Sequence, residues 1–411
     1  MAIPSGDDLD AALGTAAFYD DPYPTYDRLR AADPVHWSEH NGGWMLTCYD
    51  DVLATIRDVT HFTSRGRFAA VFTRMDPEVR QRVAPMRRHF SVGLIASDPP
   101  DHTRMRGLIN RAMKPRVIEA MRPRIQALVT GMLDAVIARG EMDLIADLAY
   151  PLPATVIAEM LGAPAESRDQ FKVWSRDILG FQGTGRPDPV IVDRAQESLL
   201  AMRAFLSELA ADRRESPKDD LLGLLVAAEQ DGERLSEAEL LTTCVTLLTA
   251  GHETTTNLIG NGLWLLLTHP EQRRLLAERP ELMPGAIEEM LRKESPLQRN
   301  PRQVAVDVEV RGRQLRAGDY VMQVLGAANH DPAQFRDPHR FDITRAPNRH
   351  LAFGQGIHFC LGAPLARLEA PIAIGETLRR LPWLALAEPD APPRWIRHGL
   401  LRGFEELRVT F

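Results

Sequence analysis

The sequence predicts a mainly α protein with a minor β part: a large helical domain around one long central helix, with a small β-rich region beside it. Three observations carry this. From Asp101 to Glu294 apolar residues recur at helical spacing with few interruptions. Ser236-Glu237-Ala238-Glu239 has the capping-box pattern, and apolar periodicity follows it to Thr268, where Pro270 stops it. Strand-like patterns with turn residues are confined to two short stretches, about 34–48 and 298–322.

In chain order, PYPTYDRLRAADPVHWSE predicts a short helix and then a strand, and GGWMLTCY a second strand, so the two strands can form a hairpin. Residues 58–98 have weak periodicity and are expected as a long, partly helical loop, a kind of segment that is often functional. The helical part covers about 101–294. Its longest member, from Ser236 to Thr268, makes about nine turns and spans roughly 48 Å, enough to cross a domain. The stretch QVAVDVEVRGRQLRAGDYVMQV supplies strands, with turns at RGRQ and RAGD. A last helix, about 361–380, follows FGQGIHFCLG, and short strands close the chain. No repeat or low-complexity tract divides it, so one domain over 1–411 is expected.

Composition narrows the function. The 411 residues include 49 Lys and Arg against 56 Asp and Glu, a formal charge of -7, which argues against nucleic acid as the main partner. The N-terminal MAIPSGDDLDAALG has acidic residues and no apolar core, unlike a signal or transit peptide. The most apolar stretch, LLTTCVTLLTAGHETTTNLIGNGLWLLL, is interrupted by Gly, His, Glu, Asn and Thr and does not resemble a membrane span. A cytoplasmic protein with no membrane partner is expected. The three cysteines, Cys48, Cys244 and Cys360, are too few and too scattered for a disulfide framework or a four-thiolate iron–sulfur cluster.

Cys360 stands out among them. Gly354, Gly356 and Gly362 flank it, and a helix begins directly after it. Glycine permits positive φ and close approach of the backbone to a bulky group. The free N–H groups and positive dipole end of the helix would favour a thiolate, which serves as a nucleophile or a metal ligand. On the cysteine alone, a buried structural thiol is the equal alternative.

The whole pattern Phe-Gly-x-Gly-x-His-x-Cys-x-Gly, Phe353 to Gly362, resembles the haem-binding loop of the cytochrome P450 family, in which a Cys thiolate holds the iron. Other segments agree and fall in the family's order. Ala250-Gly251-His252-Glu253-Thr254-Thr255 resembles the oxygen-binding segment. His252-Glu253 also begins HExxH, but Thr256 occupies the position of the second histidine and excludes that zinc motif. Glu289 and Arg292 resemble the family's ExxR pair. DPPDHTRMR resembles the propionate-binding His-x-x-x-Arg segment. ANHDPAQFRDPHRFDITR resembles the stretch ahead of the haem loop, with His330 where Arg is usual. The likeness covers about Asp20 to the C-terminus.

This resemblance implies the cytochrome P450 fold, with the long helix over a haem b (iron protoporphyrin IX). It implies that Cys360 is the iron ligand. Phe353 and Gly354 would lie near the sulfur, and His102, Arg106, Arg302 and His358 would hold the propionates, with Arg299 competing with Arg302. Glu253 and Thr254 would deliver protons to bound O2, and Glu289 with Arg292 would be structural. Thr246, Thr249, Ala250, Glu253 and Thr254 fall on one helical stripe, which is expected to face the iron. Leu297 and Gln298 would line the substrate pocket.

The implied activity is a monooxygenase that inserts one oxygen atom of O2 into a hydrophobic small molecule, by hydroxylation or epoxidation. No flavin, nicotinamide or iron–sulfur motif is present, and GTGRPD is not a dinucleotide fingerprint. Electrons are therefore expected from NAD(P)H through an external reductase and ferredoxin, as in soluble bacterial members. Arg104, Arg106, Arg111, Lys114 and Arg116 form a basic cluster in the sequence that could dock an acidic ferredoxin, or could be a solvated helix face. A monomer is expected. Substrate choice would lie in residues 58–98, 165–195 and the pocket stripe. The alternatives are a peroxide-driven peroxygenase, which would lack the acid–alcohol pair, and a haem protein that binds ligands without oxidising them.

Overall fold

The computed structural model describes residues 6–182, 188–230 and 232–411. The long helix runs Glu237–Thr268 and is capped as its sequence predicts. Ser236 Oγ accepts the Glu239 N–H at 3.3 Å, and Glu239 Oε2 accepts the Ser236 N–H at 2.8 Å. Its buried positions go all the way round, from Leu240 to Leu266, which is the pattern of a helix inside the core. Pro151–Met160, Arg168–Gln182, Pro189–Glu215, Met283–Lys293 and Ala363–Arg380 pack around it, and together they enclose the main apolar core.

The β part matches the two predicted stretches. Val35–Ser38 and Gly43–Leu46 form the hairpin, with Trp37 opposite Trp44. Gly43–Leu46 then runs parallel to Tyr320–Gln323, which pairs antiparallel with Asn300–Val304. Phe62–Thr63 adds the fifth strand. A separate hairpin joins Val308–Val310 to Arg313–Leu315. Residues 58–98 are more regular than the weak periodicity suggested. They hold three short helices, Ala69–Thr73, Pro77–Arg82 and Ala84–Ser91, placed by burial of Phe72, Met86 and Phe90 against the core. Within 101–294, Glu141–Asp143 and two strand pieces at 229–234 interrupt the helices. Residues 183–187, which contain most of GTGRPD and part of the 165–195 segment, lie outside the described residues. Among the described residues, no helix is long and apolar enough to cross a membrane.

The Glu289–Arg292 pair is fully buried, both side chains at 0% exposure, with bonds of 2.8 and 2.9 Å. It also fastens the segment 329–348. Arg292 donates to the carbonyls of Asn329, Pro338 and Arg340, and Glu289 accepts from the Asp342 N–H, Arg345 and Asn348. His330, in place of the usual Arg, is buried too. Its Nδ1 donates to the Gly326 carbonyl at 2.9 Å, and burial pushes the imidazole well down, so no buried charge replaces the arginine.

Two predictions follow from these buried carboxyls. Glu289→Gln leaves the Arg292 charge buried without its counter-charge and costs about 3 kcal/mol or more, measured as a loss in thermal or denaturant unfolding; an unchanged midpoint would exclude this role. Glu369, on the last helix, is 1% exposed, and neither carboxyl oxygen has a hydrogen-bond partner among the described residues. Burial pushes its carboxyl from 4.5 up to about 8. The folded chain thus keeps a proton that the unfolded chain has released. That contribution to stability is fully present below about pH 4.5 and is lost as pH rises through about 8. Glu369→Gln should raise the unfolding temperature at neutral pH and above, with the gain vanishing below about pH 4.5.

Candidate active site

A largely apolar cavity of about 350 Å³ lies between the long helix and the Cys360 loop. The loop is built on two glycines with positive φ, +67° at Gly354 and +68° at Gly356, that turn the chain back under the cavity. The Cys360 N–H donates to the Phe353 carbonyl at 2.9 Å, and the Gly354 N–H to the Leu351 carbonyl at 2.8 Å. Phe353, Gly354, His358 and Cys360 all line the cavity. The Ala363–Arg380 helix begins directly behind the thiol. Burial pushes the Cys360 thiol up. The N–H groups of Gly362 and Ala363 bond to its sulfur and work in the opposite direction, as do the charges of Arg106 and Arg367.

One side of the cavity is cationic. His102 and Arg106 share the Asp101–Ala112 helix, His358 comes from the loop, and Arg302 from the Asn300–Val304 strand. The His102 and His358 rings meet at 4.4 Å. His358 Nε2 contacts Ser64 Oγ at 2.8 Å, and burial with the charges of Arg302, His102, Arg67 and Arg106 pushes this imidazole down to about 2. Burial and Arg67 lower Arg302 to about 9.

Arg67 was not singled out from sequence. It lines the cavity, shares the Asn300 Oδ1 acceptor with Arg302, each at 3.2 Å, and is lowered to about 10 by burial. Arg67 Nε and His102 Nε2 are buried and have no partner among the described residues. Among the described residues none of Arg67, Arg106 and Arg302 is ion-paired with a carboxylate, and the Asp98 charge acts only on Arg302, so the three have room for further negative charge. A planar, largely apolar group with two carboxylates and a thiolate-bound metal fits this donor set. Arg299 also lines the cavity, but its guanidinium bonds Asn41 at 3.0 Å and lies over the Phe18 ring.

The stripe on the long helix is placed as its spacing predicts: Thr246, Thr249, Ala250, Glu253 and Thr254 all line the cavity. Thr254 Oγ1 donates to the Ala250 carbonyl at 2.9 Å, and Thr249 Oγ1 to the Val245 carbonyl at 2.9 Å. Burial works to raise the Glu253 carboxyl, but the hydrogen bond and charge of His252, with His398 and Lys172, hold it below the ordinary value. His252 Nε2 is 3.4 Å from Glu253 Oε1. His398, which also lines the cavity, was not read from sequence; nothing local marks it, because a loop at the far end of the chain delivers it.

Two expectations need correction. Leu297 lines the cavity, but Gln298 does not. Leu297 bridges Leu401 in extended backbone, so side chains alternate, and Gln298 turns away to donate to the Ser295 carbonyl at 2.9 Å. The basic cluster also divides. Arg104 pairs with Glu239 and Glu233 at the start of the long helix and Arg106 turns into the cavity, while Arg111, Lys114 and Arg116 stay exposed. A different cleft opens beside the Cys360 loop, about 420 Å³, lined by Phe353 and Phe359 with Arg57, Arg349 and Arg367 around them.

Known proteins agree with this geometry. The family model for cytochrome P450 matches residues 191–411. Cytochrome P450 107B1 of Saccharopolyspora erythraea is 42% identical over 96% of each chain. Cytochrome P450 monooxygenase PikC of Streptomyces venezuelae is 41% identical over 96% of this chain and 92% of its own. The solved structure of P450BioI, in complex with an acyl carrier protein bearing hexadec-9Z-enoic acid, superposes with a TM-score of 0.89 at 37% identity, over 96% of this chain and 99% of that one. With relatives at about 40% identity over nearly the full length, the chain belongs to the cytochrome P450 family as a haem-dependent monooxygenase.

Proposed function

We propose that this chain binds haem b through Cys360 and inserts one oxygen atom of O2 into an apolar small molecule, with electrons from NAD(P)H passed by an external reductase and ferredoxin. The observation that carries this is one cavity shared by the Cys360 thiol and the Glu253–Thr254 pair. His102, Arg106, Arg302 and His358 would hold the propionates, joined by Arg67. When bound, the haem supplies O2 binding and, through its thiolate ligand, a bias towards O–O cleavage.

The remaining work belongs to the chain. The apolar wall, including Leu247, Leu297, Leu365 and Leu401, excludes water from the reacting centre. Thr254 holds its proton on the Ala250 carbonyl and delivers it into the cavity by rotating that hydroxyl. Glu253, on the same cavity wall, serves as the relay: its carboxylate takes up a proton from water entering the cavity and passes it to Thr254 Oγ1, which restores the hydroxyl. The acid–alcohol pair favours O2 over a peroxide oxidant, and it gives a ligand-binding protein no advantage. The exposed Arg57 and Arg349 beside Phe353 and Phe359 suit an acidic electron donor at the Cys360 side. The same reading makes the chain a single-domain, cytoplasmic monomer over 1–411, with neither nucleic acid nor membrane as partner.

The reading is tested with ferredoxin, reductase, NAD(P)H and a substrate chosen by the shift of the haem absorption band. Thr254→Ala should keep consuming NAD(P)H while product per NAD(P)H falls several-fold and peroxide appears. Unchanged coupling would remove Thr254 from proton delivery, and faster turnover with peroxide alone would assign a peroxygenase. Haem retention separates the arginines. Arg302→Gln and Arg67→Gln should speed haem loss to apomyoglobin several-fold, whereas Arg299→Gln should leave it unchanged; the opposite order would give the propionate to Arg299.

A further inference from the structure

His89 lies on the Ala84–Ser91 helix and is 5% exposed. Arg203 Nη1, which can only donate, stands 2.9 Å from His89 Nδ1, and Thr242 Oγ1 is 3.3 Å from the same nitrogen. Nδ1 is therefore the acceptor, and the ring carries its proton on Nε2. Burial and the Arg203 charge push the imidazole down to about 3, so it stays neutral in this one tautomer. No described residue accepts the Nε2–H.

The ring lines a side chamber of about 60 Å³ that shares Phe68, Gln182, Thr246 and Ala250 with the main cavity. Phe68 and Phe90, with ring centroids 4.9 Å apart, form part of its wall. The His89 N–H thus joins the Gln182 amide and the threonine hydroxyls as the polar groups of a largely apolar recess. Behind it, Arg203 is not paired with a carboxylate among the described residues. The carboxylate whose charge acts on it, Glu237, bonds Arg214 and Ser207 instead. The Arg203 charge polarises the imidazole towards an electron-rich acceptor.

We propose that His89, oriented by Arg203, is a specificity-determining residue whose Nε2–H binds a carbonyl or carboxylate oxygen of the substrate in the side chamber. This rests on the reading of the main cavity as haem and substrate site. Thr242, beside His89, is eleven residues from Glu253 along the helix, about 16 Å at about 1.5 Å per residue. The substrate is then an apolar molecule whose oxidised carbon lies far from its anchored oxygen.

The test titrates the haem-loaded protein with imidazolyl-dodecanoic acid, its methyl ester and dodecylimidazole. Their imidazole reports binding to iron through the absorption band, without turnover. The parent protein should bind the acid and ester about tenfold more tightly than dodecylimidazole, as one added hydrogen bond allows. His89→Phe should abolish that preference while keeping the affinity for dodecylimidazole, and His89→Gln, which restores a donor, should recover part of it. Equal affinities for the three probes in the parent protein, or an undiminished preference in His89→Phe, would overturn the anchor. A band that shifts with none of the probes would instead overturn the haem-cavity reading, and the anchor with it.

Discussion

The buried Glu289–Arg292 pair is the constraint on which the site depends. Two charges at 0% exposure are costly unless every lone pair and N–H finds a partner. The pair meets that demand by drawing in the backbone of 329–348. The consequence reaches the thiol by short steps. Asn329, whose carbonyl Arg292 holds, accepts the Leu351 N–H on Oδ1 at 2.7 Å. The Leu351 carbonyl takes the Gly354 N–H, and the Phe353 carbonyl takes the Cys360 N–H. A pair that touches neither substrate nor cavity thus sets where the cysteine loop stands.

Local patterns carried much of this into the sequence. The Cys360 loop is ten adjacent residues, the capping box four, and the stripe on the long helix a single periodicity. Each is legible because its geometry is decided by neighbours in the chain. Arg67, His398 and Gln298 belong to the other kind. Arg67 sits where periodicity is weak, and its place beside Arg302 is settled by strand pairing between Phe62–Thr63 and Asn300–Val304. His398 reaches the cavity from a terminal loop by bonding Leu179. Gln298 was misplaced by one residue of alternation, which only the bridge from Leu297 to Leu401 decides.

Charge is separated across the cavity with some economy. Desolvation and neighbouring cations keep His102 and His358 lowered, so the positive charge of the shelf rests on the arginines. On the long helix the balance is reversed: burial works to raise the Glu253 carboxyl, and His252, His398 and Lys172 together hold it below its ordinary value. One side is thus suited to carboxylates of a bound group, and the other holds a carboxylate on the cavity wall. A uniform apolar pocket would do neither.

The long helix also limits what its own wall can recognise. Thr249, Thr254 and Thr255 each donate their hydroxyl hydrogen to the carbonyl four residues earlier, at 2.9, 2.9 and 3.2 Å. In that arrangement those hydroxyls offer the cavity lone pairs, which suit a donor such as water more than a carbonyl-bearing substrate. His398 adds no donor either. Its Nδ1 accepts the N–H groups of Leu400 and Leu401, and its Nε2–H is taken by the Leu179 carbonyl at 3.0 Å. Thr243 and Thr246 are left as the hydroxyl donors of this wall, and off the helix a histidine held in one tautomer by an arginine adds an N–H without placing a free charge in the apolar recess.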